Sequence, residues 1–362
     1  LRNVIFDFPR TFPADAVELE LPDIDAARAL AGERLNALEQ ALTERRAQLA
    51  PLLPSHKEAG TLLARCEDAI RIAYARLARR HGSWSKDFHA YHNEQHILEI
   101  LRDRIGRLIQ KHGPFALDLR DWCVLGLFAA CHDLRQREAT LYEAGVGANE
   151  RASVEETFRL LDHCGFSRDS DRDIYQALDL TIAGSTFDAR PPPGGAAFNA
   201  AELVQSGGAL AAKLNQKLDK HAPGWRADPA LVHALDLALI AADLDTANVA
   251  EPFARFAASA ENLCLEREML CRRNLDAGES ALPVLGFLTD GQDRFFFDLH
   301  RFNSDLGRST FGSAKDENAA RLKSLSLGLR ARIAIRGRPA SGRQVLQAYG
   351  ETVAGLSTAT RK

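Results

Sequence analysis

The stretch Leu119–Ala130 constrains the fold more than any other part of the chain. It is apolar nearly all round and runs directly into Cys131-His132-Asp133. A helix with no polar face has to be enclosed by other elements. A charged pair at the end of such a helix is costly to bury unless it finds partners, and a cation is a partner that serves both residues.

The rest of the chain offers helices to do the enclosing. Leu35, Leu38 and Leu42 recur at three and four, with Leu30 five positions earlier, Asp23 as N-cap and Pro51 as stop, which predicts one amphipathic helix from Asp23 to about Arg46. This helix has an apolar stripe that fits either the body of the protein or a second copy of the chain. Further helices are expected over Glu58–Arg80, from Tyr91 onward, over Glu150–His163, Asp171–Ile182 and Pro229–Leu244, near Ala201, and over Glu251–Asn274. The run Asp188–Asn199, with three prolines and two glycines, reads as a turn-rich loop. Apart from a short strand near Val4–Phe8, nothing alternates with period two. The expected fold class is all-α, without internal repeats.

Composition removes several classes of function. With 362 residues and a net charge of -3, the chain gives no electrostatic reason to bind nucleic acid or an anionic membrane. No apolar stretch approaches the ~20 residues of a spanning helix, and no charged-then-apolar leader is present, so the expected compartment is the cytoplasm. With Leu1 rather than Met in first place, the expectation is a fragment or a trimmed chain. The six cysteines form no CxxC pair and read as free thiols in a reducing compartment. A P-loop, a GxGxxG turn and a nucleophile elbow are all missing.

Four features in order carry the chemistry. In Tyr91-His92-Asn93-Glu94-Gln95-His96 the two histidines are four apart, a spacing that on a helix puts both imidazoles on one face. His132-Asp133 follows the apolar helix. Asn149, Glu150, Ser153, Glu155 and Glu156 open another helix with acids. Asp243 and Asp245 sit in Ala241-Ala242-Asp243-Leu244-Asp245 at the end of a third. Each has a plain structural alternative: a surface pair, a cap, a complement to a helix N-terminus, or an ion pair with an arginine. Together they supply imidazoles and carboxylates from separate helices, the donor mixture that suits zinc, manganese or iron.

This order resembles the HD superfamily of metal-dependent phosphohydrolases, whose pattern is His, then His-Asp, then Asp. The likeness spans about Phe88 to Phe256 and is nearest to the YHNxxH branch that includes cyclic-nucleotide phosphodiesterase domains and small bacterial HD phosphohydrolases. The resemblance implies an HD-domain helical bundle with a divalent cation (Mn, Mg, Zn or Fe) on His96, His132, Asp133 and Asp243. It implies His92 as proton donor to the leaving oxygen, and Asp133 bridging to a second, mostly water-held metal with Glu156 and Glu150 in its water shell. Asn93 and Asp245 are expected to orient imidazoles, with Gln136 beside Asp133. Arg135 and Arg137 are candidates to hold substrate phosphate through bidentate hydrogen bonds.

The departures from the family pattern are specific. Gln136 stands where many phosphodiesterases have the last histidine of HDxxH, and the Leu180–Asp188 run carries no histidine. Both weaken the second metal. No GYP follows the His-Asp pair, which disfavours cyclic dinucleotides. Gln292, ahead of Phe295 and Phe296, is the nearest candidate for a purine-gripping glutamine, with aromatic packing as its alternative. His81, His89, His163, His221, His233 and His300 belong to no motif and read as structural.

The resulting expectation is an N-terminal segment over 1–54, an HD domain over 55–300 and a basic helical tail over 301–362 packed on that domain. The expected activity is metal-dependent hydrolysis of a small-molecule phosphate ester, foremost a nucleotide or cyclic nucleotide. The rival readings are a regulatory module that keeps the metal but not turnover, and a homodimerising interaction protein with a vestigial site.

Overall fold

The structure is a computed structural model that describes residues 11–55, 58–138, 147–186 and 210–359. Among them every regular element is helical and no strand occurs, so the fold is all-α. The expected strand at Val4–Phe8, the loop 188–199 and the helix start at Ala201 lie outside the described residues. Among the described residues no helix is long and apolar enough to cross a membrane.

Contacts divide the chain into two compact units. The first comprises Leu1–Thr186, Ala209–Asp245 and Asn303–Thr310; the second comprises Phe187–Gly208, Thr246–Phe302 and Phe311–Lys362. These units do not follow the expected boundaries at 54/55 and 300/301. The N-terminal helices fall in the unit that holds the motifs, and the 246–302 stretch falls with the C-terminal helices.

In the first unit α1 (Ala16–Glu20), α2 (Ile24–Ala31) and α3 (Asn36–Leu49) precede the long α4 (Ala59–Arg80), which is followed by α5 (Glu94–Leu98) and α6 (Ile105–His112). The single helix expected from Asp23 is broken. Asp23 does cap it, its carboxylate accepting from the Ala26 amide at 2.8 Å, but Gly32 takes φ 51° and ends α2. A short 3-10 turn then leads to α3, which stops at Leu49 just before Pro51.

The apolar run Leu119–Ala130 lies in α7 (Leu119–Cys131), in which every residue but Arg120 is buried. A capping box between Asp118 and Asp121 starts it. Around it pack α4, α8 (Ala148–His163), α9 (Arg172–Gly184), the helix Pro229–Asp245 and the π-type turn Glu99–Arg104. Truncating a fully enclosed side chain here, such as Leu127 or Phe128, removes about 2–5 kcal/mol. That enclosure fixes where the last turn of α7 delivers His132 and Asp133.

The second unit is built on the helices Phe253–Leu270, Ala281–Gly286, Asp305–Arg336 (from Phe311) and Gly342–Ala359. Phe256 meets Phe296 with ring centroids 5.6 Å apart, and the buried Tyr349 donates its hydroxyl to Ala257 O at 3.1 Å. Gln292 is buried in this unit, one helical turn before Phe296 in the chain.

Candidate metal centre

The segment up to Asn93 is not yet helix. Asn93 is extended, its side-chain oxygen accepts from the Gln95 amide at 2.9 Å, and the helix α5 (Glu94–Leu98) begins only after it. His92 therefore precedes the cap, and the expected shared helical face for His92 and His96 does not form. The two rings still approach, with centroids 6.3 Å apart, and Tyr91 packs between them at 4.9 and 4.8 Å. Asn93 orients no imidazole; its amide donates to His89 O at 2.7 Å and so fixes the chain entering α5.

From His96 the stripe His96, Ile100, Arg104, Leu108 runs along the inner face at helical spacing, and all are buried. Arg104 is fully buried. It donates to the carbonyls of Leu244 (3.0 Å) and Asp245 and to Glu99 (3.2 Å). A cation on the last carbonyls of the helix Pro229–Asp245 satisfies groups that a helix end leaves open. It also anchors Asp245 where Asp245 Oδ1 lies 3.0 Å from His96 Nε2.

The end of α7 brings in the other two groups. His132 Nδ1 donates to Phe128 O at 3.1 Å, which leaves Nε2 as the lone-pair nitrogen of the neutral ring. That nitrogen faces Asp133 Oδ2 at 2.9 Å and Asp245 Oδ1 at 3.4 Å. Gln136 donates to Asp133 Oδ1 at 2.8 Å and so turns Oδ2 toward the imidazoles, 3.9 Å from His96 Nε2. His132 Nε2 and Asp133 Oδ2 are buried without hydrogen-bond partners. Lone pairs held face to face in a buried site need a proton or a cation between them.

The electrostatics have the same sign. Burial alone would depress the His132 pKa, but the Asp133 and Asp245 carboxylates raise it well above the usual range. Both carboxyls are held down despite burial, Asp133 by His132 and His92, and Asp245 by His132 and His96. Burial and the Asp133 charge push Glu150 up to about 7, with His92 and His132 acting against them. The atoms of His96, His132 and Asp245 that could ligate all lie within 4.8 Å of one another, a set that fits a divalent cation with Asp133 as neighbour.

Other expected site residues lie elsewhere. Asp243 is not brought to the imidazoles. Its Oδ1 accepts from the amide and side chain of Asn303 (2.6 and 3.1 Å), and its Oδ2 from the amide and hydroxyl of Ser304 (2.8 and 2.7 Å). Gly307 closes over it so tightly that a Cβ there would fall 2.1 Å from Oδ2. Asp243 thus holds the start of the helix Asp305–Arg336, and Asp245, expected only to orient an imidazole, is the acid of this pair whose oxygen lies against both imidazoles.

Glu156 is also displaced from its expected role. It is completely buried against Arg76 (3.2 Å), Arg80 (3.1 Å) and Arg135 (3.6 Å), an ion cluster that leaves no carboxylate for a metal's water shell. Arg135 is occupied there and with Glu138 and Pro13 O, and Arg137 pairs with Asp87. Neither arginine is poised for phosphate. Arg104 belongs to none of the four motifs; its signal in the sequence is a charge in an otherwise apolar stripe. Asn303, Ser304 and Gly307 carried no signal, because their partner lies about sixty positions away.

Comparison of the chain with protein-family models returned no match, and comparison with curated proteins returned none.

Proposed function

We propose that this protein is a metal-dependent phosphohydrolase of the HD type, with His96, His132, Asp133 and Asp245 as the cation-holding set. The observation that carries the reading is the buried, unsatisfied pairing of His132 Nε2 with Asp133 Oδ2 beside the His96–Asp245 contact. When bound, a divalent cation would polarise phosphoryl oxygens as a Lewis acid and make an attacking water more acidic.

The chain's own groups do the rest. His92, outside the ligand set but among the charges acting on Asp133 and Glu150, delivers a proton to the leaving oxygen. Gln136 keeps Asp133 turned inward, and Arg104 keeps Asp245 in place. The favoured substrate class is a nucleotide phosphate ester, cyclic ones included, which is an analogy from the motif pattern. The free thiols fit a reducing cytoplasm.

A second reading, a module that binds a cation without turnover, is favoured by the commitment of Glu156, Arg135 and Arg137 to ion pairs. One experiment separates the two. Hydrolysis of a chromogenic phosphodiester and a panel of nucleotides is measured with manganese and with chelator, for wild type, Asp133→Ala and His92→Gln. Phosphohydrolase chemistry requires chelator-sensitive turnover, lost in Asp133→Ala and lowered ~10²–10⁴-fold in kcat by His92→Gln. Tight manganese binding without turnover on any substrate establishes the second reading instead.

A further inference from the structure

A second cluster of histidines and a carboxylate sits just upstream of the first, in residues that no motif claimed. His81 follows the last turn of α4, and the chain from there to His89 is tied back on itself. His89 N donates to His81 O at 2.8 Å, Ser85 Oγ to Arg80 O at 2.6 Å, and the Asp87 amide to Ser85 Oγ at 2.9 Å. The two imidazoles come together with ring centroids 4.2 Å apart. Both are buried, whereas the Asp87 side chain is 43% exposed and gives the cluster an edge open to water.

The spacing is that of ligands around one ion. His81 Nδ1 lies 3.3 Å and His89 Nε2 3.4 Å from the same oxygen, Asp87 Oδ2. Donors at about 2.1 Å from a tetrahedral zinc are separated from one another by roughly 3.4 Å. Neither ring nitrogen of the buried His81 makes a hydrogen bond, the Nδ1–Asp87 approach lacking the geometry for one. A buried imidazole in that state has an unmet demand for a partner.

We infer that His81, Asp87 and His89 form a second metal site that takes a zinc-class ion, with water in the remaining position.

The surroundings select the ion. Arg137 holds Asp87 by both oxygens, and Arg80 and Arg137 both act on His81. These positive neighbours oppose a hard cation such as Mg²⁺ or Ca²⁺, which relies on negative oxygen ligands. An imidazole pair suits zinc, cobalt, nickel or copper. The Arg137–Asp87 pair is half-exposed on both sides and readily yields one oxygen.

The test uses the full chain, stripped of metal and titrated with Zn²⁺, with bound metal counted by native mass spectrometry and calorimetry. A His132→Ala background removes the first cluster; it should retain one equivalent, and adding His81→Gln should abolish it. If His81→Gln misfolds, Asp87→Asn at the exposed edge serves instead and should weaken Zn²⁺ at least tenfold, with Mg²⁺ absent from the site throughout. Co²⁺ bound here shows ligand-field bands without thiolate charge transfer. An equivalent that survives His81→Gln and Asp87→Asn, or a thiolate band marking cysteine as the ligand, overturns the site. Failure of the first cluster to bind reads differently, as one equivalent in wild type that follows His81 and ignores His132.

Discussion

The two histidine clusters of the first unit use the same residue types in opposite electrostatic settings. Around His96 and His132 stand Asp133 and Asp245, the Asp133 charge reaching as far as Glu150, and the two carboxylates raise His132's affinity for a positive partner. Around His81 and His89 stand Arg80 and Arg137, and His81 is pushed toward the neutral form. A carboxylate-rich cluster accepts any divalent ion of suitable size and gains from its full charge. A cluster bordered by arginines retains only ions whose bond to imidazole nitrogen is strong in itself. Donor type alone does not decide what a cluster binds; the second ring of charge chooses between hard and borderline ions.

The largest effect expected from this contrast is in the carboxylate-rich cluster. Asp245→Ala removes an oxygen that faces both imidazoles, so manganese affinity should fall by more than the ~10–100-fold that losing an outer partner costs, and turnover should vanish with it. Zinc bound through His81 should be unaffected. Parallel manganese and zinc titrations of this variant check both halves. If both metals are lost together, the clusters are not independent and the contrast fails.

A smaller effect is expected two residues earlier. Asp243→Ala strands the Asn303 and Ser304 donors in a buried setting, which should cost on the order of 3 kcal/mol in denaturant unfolding. Once folded, the variant should bind manganese like wild type. Loss of manganese with unchanged stability would restore Asp243 to the ligand set and remove Asp245 from it.

That pair also shows what the sequence could and could not reveal. The enclosed helix α7 was legible, because apolar enclosure leaves a local pattern, and so was the approach of His96 to His132 and Asp133, which the order of the motifs pointed to. Which acid of Ala241-Ala242-Asp243-Leu244-Asp245 faces the imidazoles was not. Residues two apart on a helix point to different sides, and the choice depends on Asn303 and Ser304 arriving from far along the chain and on Arg104 gripping the helix end. Glu156 was misplaced for the same reason: its arginine partners come from α4 and from the turn after α7. The early break of the first amphipathic helix, by contrast, was readable at Gly32, where the leucine spacing had carried the pattern across a helix stop. The cap at Asn93 was readable too, and the i, i+4 histidine spacing obscured it.

The smallest effect probes the positive border of the second cluster through a residue that touches neither set of ligands. Asp15 accepts from Arg80 at 2.7 and 2.9 Å. Burial alone would raise its pKa, but the Arg80 hydrogen bonds and charge, the Glu18 amide and the Arg135 charge lower it to about 2 from 3.8. Because the folded value lies below the unfolded one, the stabilisation is present above pH 3.8 and is lost as pH falls through about 2. Asp15→Asn should therefore destabilise the protein by about 2 kcal/mol at neutral pH, and the gap to wild type should close as acid titrates the carboxyl. The same substitution leaves Arg80 less neutralised beside His81, so zinc affinity should drop there while manganese affinity at the first cluster holds. A stability gap that persists at pH 2, or zinc binding that is indifferent to Asp15, would show that Arg80 does not set the charge around the second cluster. The difference in ion preference would then have to come from Arg137 alone.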